Sequence, residues 1–437
     1  MAVLEEELIA LRREFHRYPE SAWTEFRTTV RIIEELEKLG LTVQYGPEIH
    51  VKEHMYGMPP AEELERCWQR AAEECGRPDL LETMRGGYTG CIAVIEGALP
   101  GPVIGIRVDI DCNDLQEAED GKHRPAAEGF ASCHSGCMHA CGHDAHAVIG
   151  IGVAKLLCAC REELRGRVIL IFQPGEEGLR GAASLTAAGC LDTCDYLFGG
   201  HVGIKNLPTG TVFAGTHGFL ASTKFDVSFS GEAAHAGISP EKGKNAMAAA
   251  ATAVLNMLAI PRHHEGTSRI NVGTFHSGTG RNVIPAHAKL TVETRGGTTA
   301  INAYMEEAAK RVCSAAADMY ECGCEIEFMG AAGNAACDAE LVARSVDALS
   351  CVEGITQVVA DVDFGGGEDI TTMMQRVQEN GGQATEMIFA MPLVAPHHNS
   401  YFDIDERIIG IGARSFAQLA LSAGSMPPRA FHMSLEA

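Results

Sequence analysis

The segment MHACGHDAHA (138–147) concentrates more reactive side chains than any other stretch of the chain. Cys141 and His143 are separated by a single glycine. In an extended or turning segment, that spacing lets both side chains face one point. A thiolate and an imidazole are good ligands for zinc and similar ions. The same residues also fit a glycine turn ahead of a helix, with Cys141 buried and inert. A second cluster, QPGEEG (173–178), puts Glu176 and Glu177 just after the apolar run RVILIF. Adjacent residues of an extended segment point in different directions. One carboxylate can therefore hold a metal while the other holds an attacking water, although a solvated turn fits the pair as well. His201 follows YLFGG, and HHNSYFD (397–403) adds a further histidine pair. Four such elements, each at an expected strand end or loop, argue together for a metal centre where each alone does not.

The elements that would position them read as follows. Residues 3–15 and 24–39 are amphipathic helices, the second capped by Thr24 and ending at Gly40. Residues 90–97, 102–108 and 167–172 are buried strands, and 144–160 is a helix. Strands alternating with helices imply a mainly parallel sheet covered on both faces, an α/β/α layer arrangement. Ligands bind such sheets at the carboxyl ends of the strands. Asp109 and Asp111, Glu176 and Glu177, and His201 all stand at such ends. The polar stretch 46–88, with a helical centre near 60–75, looks like an insertion. From about 222 the order is β-α-β-β-α-β, a ferredoxin-like α+β unit. The expected organisation is a first α/β segment over 1–220, an inserted domain over 221–330, and a second α/β segment over 331–437.

A net charge of −23 argues against a nucleic-acid surface. No stretch of about 18 apolar residues occurs, and MAVLEEELIALRREF lacks the pattern of a signal peptide. The 16 cysteines then read as reduced thiols. A cytoplasmic protein with no membrane partner is expected.

MHACGHDAHA, QPGEEG, SGEAAHAG, GRNVIP and HHNSYFD occur in order along nearly the whole chain. Together they resemble the metallopeptidase-20 amidohydrolases, the group of aminoacylases, hippurate hydrolases and auxin-conjugate hydrolases. The 46–88 stretch, FASC and GGEDITTMM are similar to the subgroup that cleaves p-aminobenzoyl-glutamate. The resemblance implies a zinc-exopeptidase-like catalytic domain, an inserted dimerisation or lid domain, and hydrolysis of an N-acyl amino acid bearing a free carboxylate. It implies two divalent ions, zinc or manganese first and cobalt or nickel as further candidates. Their ligands would be Cys141 (shared), His143, Glu177, His201 and His398, with Glu176 as general base. His398 is preferred over His397 because it directly precedes Asn399.

Many relatives carry His-x-Asp where this chain has Arg107-Val108-Asp109. A guanidinium cannot bind a metal, so Asp109 is expected to orient a ligand. His235 matches a histidine that reaches the other protomer's site in relatives, where it binds the oxyanion. Arg281 and Asn282 match the substrate-carboxylate position, and Lys224 and Arg295 are candidate second cations. A homodimer through the inserted domain, or a heterodimer with a related chain, follows from the same likeness. A cysteine hydrolase using Cys141 and His143 is the rival chemistry. It leaves both glutamates, His201 and His398 without a task.

Overall fold

The apolar run at 168–172 is continuous because both of its faces are buried. In a computed structural model describing residues 2–426, Val168, Leu170 and Phe172 enter one core while Ile169 and Ile171 enter another. This is the period-two alternation of a strand sandwiched between helical layers.

Among the described residues, fourteen strands follow one another along the chain. They begin with β1 (Val43–Tyr45), β2 (Cys91–Glu96), β3 (Leu99–Asp109), β4 (Arg165–Gln173) and β5 (Tyr196–Asn206). The short β6 (Thr211–Phe213) and β7 (Thr216–His217) precede β8 (Ala221–Ser230), β9 (Ser268–Ser277), β10 (His287–Gly296) and β11 (Gly323–Ala332). The series ends with β12 (Gln357–Val359), β13 (Val362–Asp363) and β14 (Gln383–Met391).

Two compact units divide these elements. Of the described residues, the first takes in 2–217, 335–364 and 369–426, and the second 218–334 with 365–368. The first unit is built on an eight-stranded sheet of order β1-β2-β4-β3-β5-β14-β6-β12. Its centre, β4-β3-β5-β14, is parallel, and β2 and β6 run antiparallel to their inner neighbours. Helices Ala2–Arg17, Phe26–Glu37, His143–Ala159 and Arg407–Ala423 cover one face. Ala182–Ala187 and Ile370–Glu379 cover the other. The second unit is a four-stranded antiparallel sheet of order β11-β8-β10-β9, with helices Ala246–Leu258 and Thr299–Met319 packed on it.

Two expectations change. Thr24 does not cap the second helix; its hydroxyl donates to the Ser21 carbonyl at 2.7 Å. The buried Glu20 carboxylate instead accepts the first-turn amides of Arg27 and Thr28, at 3.1 and 2.8 Å. A side chain well ahead of the helix thus does the work normally done by the residue beside it. The stretch 46–88 is not an appendage either. Cys67, Ala71, Leu80, Leu81 and Met84 join the main core. Its apolar residues are too sparse to read as core in sequence, yet its helices Ala61–Glu74 and Pro78–Met84 turn these five inward.

Arg107 on β3 is buried and bound on three sides. It donates to Gln173 Oε1 at 2.8 Å, Asp109 Oδ2 at 2.8 Å and Asp369 Oδ1 at 2.9 Å. Truncating Arg107 to alanine strands two carboxylates in the interior. The expected loss is about 3–5 kcal/mol of folding stability, read by urea denaturation. Among the described residues, no helix is long and apolar enough to cross a membrane, and no disulfide joins the cysteines.

Candidate metal centre

Asp109 ends β3 and pairs with Gln173, the last residue of β4. On the far side β3 pairs with β5 up to Ile106–Phe198. Three residues further along that register stands His201, level with Asp109. The sheet therefore delivers Asp109, the loop after Gln173 and His201 to one edge. Gly142 completes the approach. It has φ of +88° and opens helix His143–Ala159; a Cβ there would lie 2.6 Å from Val202 Cγ2. Only glycine suits both constraints, and it sets Cys141 and His143 on either side of the turn.

The ligand atoms of Cys141, His143 and His201 lie within 4.8 Å of one another. So do those of Cys141, Glu177 and His398, and those of His143, Glu176 and Glu177. Cys141 Sγ is 3.4 Å from His201 Nε2, and His398 Nε2 is 3.3 Å from Glu177 Oε1. His398 takes a left-handed φ of +59°, uncommon for a residue with a side chain. Its backbone N–H donates to the Ala140 carbonyl at 2.8 Å, anchoring it beside Cys141.

The hydrogen bonds behind the cluster decide which ring nitrogens face it. His143 Nδ1 donates to the Asp111 carbonyl at 3.0 Å, and His201 Nδ1 to the Val202 carbonyl at 2.7 Å. Carbonyl oxygens only accept, so each neutral ring carries its proton on Nδ1 and turns its Nε2 lone pair to the centre. His143 Nε2 is buried there without a hydrogen-bond partner. Burial opposes charge on His143, yet Asp109 and Cys141 draw its pKa well above the ordinary value. The same neighbours favour a cation at Nε2 in the proton's place. Burial drives the His201 ring well below its ordinary pKa, which keeps it neutral, and it drives the Cys141 thiol well up. Burial would also raise the Glu177 carboxyl, but His398, the His143 charge and Asn113 hold it at about 2. A buried thiol, imidazole nitrogens and an ionised carboxylate converging on one space make a donor set suited to divalent cations.

Asp109 stands one layer back. Its Oδ1 accepts from His146 Nδ1 and lies 3.7 Å from His143 Nδ1. His397 donates from Nε2 to the Val202 carbonyl at 3.3 Å. His235, Arg281 and Asn282 belong to the second unit, where all three are exposed. There Ala236 N–H donates to the Asn282 carbonyl at 3.0 Å, and His235 bridges Val283, so the two loops run side by side. Arg295 is paired with Glu293 at 3.0 Å.

Two contributors carry no role in the sequence reading. Asp111 is fully buried, and its oxygens accept the backbone N–H groups of Glu176 and Glu177 at 3.1 and 2.9 Å. One carboxylate thus fixes both glutamates, while the carbonyl of the same residue fixes His143. His146 accepts the Val202 N–H at Nε2 (2.9 Å) and so fixes the strand beside His201. The available signals are the strand-end position of Asp111 and the three-residue helical spacing of His143 and His146. Replacing Asp111 with asparagine presents an amide to one of those N–H donors. Metal affinity is expected to fall about 10–100-fold, measured by competition with a chromogenic chelator.

Comparison with known proteins gives the family. The profile of peptidase family M20/M25/M40 matches residues 105–422. One of the subunits of the p-aminobenzoyl-glutamate hydrolase of Escherichia coli (strain K12) is 44% identical over 412 residues, 94% of each chain. The indole-3-acetyl-aspartic acid hydrolase of Enterobacter agglomerans is 44% identical over 417 residues, 95% of each chain. A solved Bacillus subtilis structure, described as a dinuclear metal binding peptidase from the M20 family, matches with a TM-score of 0.66. It is 26% identical, covering 96% of this chain and 98% of that one. The chain therefore belongs to peptidase family M20/M25/M40 and is one of its amide-cleaving hydrolases.

Proposed function

We propose that this chain hydrolyses the amide bond of an N-acyl amino acid with a free carboxylate, p-aminobenzoyl-glutamate foremost, giving p-aminobenzoate and glutamate. The observation that carries the reading is the position of Cys141, whose sulfur belongs to two overlapping ligand triads. Cys141, His143 and His201 would hold one divalent cation, and Cys141, Glu177 and His398 a second. Zinc or manganese suits these donors, with cobalt or nickel as alternates. Bound there, the cations would supply Lewis acidity, making water a better nucleophile and the scissile carbonyl a better electrophile.

The chain's own residues do the rest. Glu176 takes the proton of the attacking water and passes it to the leaving nitrogen. His235 Nδ1 accepts the N–H groups of Gly237 and Ile238, both at 3.1 Å. Its remaining proton therefore sits on Nε2, a donor for the oxyanion of the tetrahedral intermediate. Arg281, with Asn282 beside it, takes the substrate carboxylate, which a planar guanidinium can grip with two parallel bonds. The second unit pairs with a like unit, in a homodimer or with a related second chain. The Escherichia coli relative is named as one part of a hydrolase with more than one kind of chain, which supports the latter.

A second substrate is favoured by a specific observation. The indoleacetyl-aspartate enzyme is as similar as the p-aminobenzoyl-glutamate one. The test is a panel of p-aminobenzoyl-glutamate, indoleacetyl-aspartate and hippurate offered to the purified chain alone. The highest kcat/KM is expected for p-aminobenzoyl-glutamate. A higher value for either rival would replace the substrate, and inactivity on all three until a second chain is added would make this one half of a heterodimer.

A further inference from the structure

Two cysteines beside the metal centre have no task in that chemistry. Cys112 is buried directly after Asp111, and Cys137 is half-buried four residues ahead of Cys141. Asn113 and Met138 exchange backbone hydrogen bonds at 3.0 and 3.1 Å, as an antiparallel pair. Cys112 and Cys137 flank that pair diagonally and so project from the same face. Their sulfurs share the Ser21 hydroxyl, at 3.8 Å from Cys112 and 3.5 Å from Cys137.

We propose that Cys112 and Cys137 are a redox couple that a peroxide closes into a disulfide, and that closure slows the adjacent hydrolytic site. The two thiols are unequal in the way such a couple needs. The neighbouring Cys112 thiol outweighs burial and brings Cys137 down to about 6, whereas burial drives Cys112 well up. The Cys137 thiolate attacks the peroxide. An S–O bond forms, the O–O bond breaks, the sulfur is oxidised by two electrons, and hydroxide leaves. Cys112 then attacks that sulfur. The S–S bond forms, the S–O bond breaks, and the departing oxygen leaves as water with the Cys112 proton.

Closure reaches the site through Asn113. Its Oδ1 accepts the Ala140 N–H at 3.2 Å, next to Cys141. Asp111, which holds the backbone of Glu176 and Glu177, is the neighbour of Cys112. Drawing 112 and 137 to bonding distance moves both supports.

The test treats the metal-loaded chain with hydrogen peroxide, blocks free thiols with N-ethylmaleimide, and maps unreduced peptides by mass spectrometry. A peptide pair linking Cys112 to Cys137 is expected, lost on treatment with dithiothreitol and absent from Cys137→Ser. Turnover of the best panel substrate falls about tenfold or more on closure and returns with the reductant. Cys137→Ser keeps basal turnover and resists the same treatment. Recovery of both cysteines as maleimide adducts would overturn the couple. A linked pair with unchanged turnover, or a Cys137→Ser variant as sensitive as the native chain, would overturn its action on the site.

Discussion

Replacing Glu176 with glutamine is expected to cut kcat by about 10²–10⁴-fold while leaving metal content and fold as they were. Glutamine has the same shape, and the anchor of residue 176 is its backbone N–H on Asp111 Oδ1 at 3.1 Å, which the substitution keeps. The ligand position next door, Glu177, has its own anchor on Asp111 Oδ2. What the substitution removes is the ability to accept a proton. An amide cannot take one from water and return it to the leaving nitrogen, so the loss falls on kcat far more than on KM. Steady-state kinetics beside metal analysis and circular dichroism read this directly. Near-native turnover at full metal occupancy would sink the assignment of Glu176 as base.

Stripping the divalent cations is expected to abolish turnover and lower the melting temperature, with both restored by zinc or manganese. His143 Nε2 faces the cluster without a hydrogen-bond partner, and the Cys141 thiol is far from ionising on its own. An unpartnered ring nitrogen is costly to bury unless a cation sits against it. A ligand held at 100 times its Kd stabilises the folded chain by about 2.7 kcal/mol, enough for a clear calorimetric shift. The experiment also separates the rival chemistry. A hydrolase using Cys141 as nucleophile would keep its rate in excess chelator and lose it to an alkylating agent.

The parallel sheet was legible because a strand buried on both faces needs an unbroken apolar run, and RVILIF is one. The β-α-β-β-α-β order of the second unit was legible because strands with one exposed face alternate. The antiparallel direction of β2 was not, since a buried strand reads the same in either direction. Thr24 misled because capping preference is local, while Glu20 reaches the same amides across a turn. In the candidate site, Glu176, Glu177 and His201 stood out by residue type and by following strands, Cys141 and His143 by their spacing about Gly142, and His398 was singled out over His397 by the family likeness. Asp111 and His146 did not stand out as supports. Nothing local distinguishes a carboxylate that will receive two N–H groups from a loop 65 and 66 residues away.

Residue types and their order along the chain determined which atoms could bind a cation and that a sheet edge would present them. Local forces, namely strand alternation, helical period and the bare backbone of Gly142, were enough for that. Only the folded chain decided that both Nε2 atoms face inward and that Arg107 is a buried clamp. Those outcomes depend on hydrogen bonds and ion pairs between segments far apart in sequence, whose partners are chosen by packing.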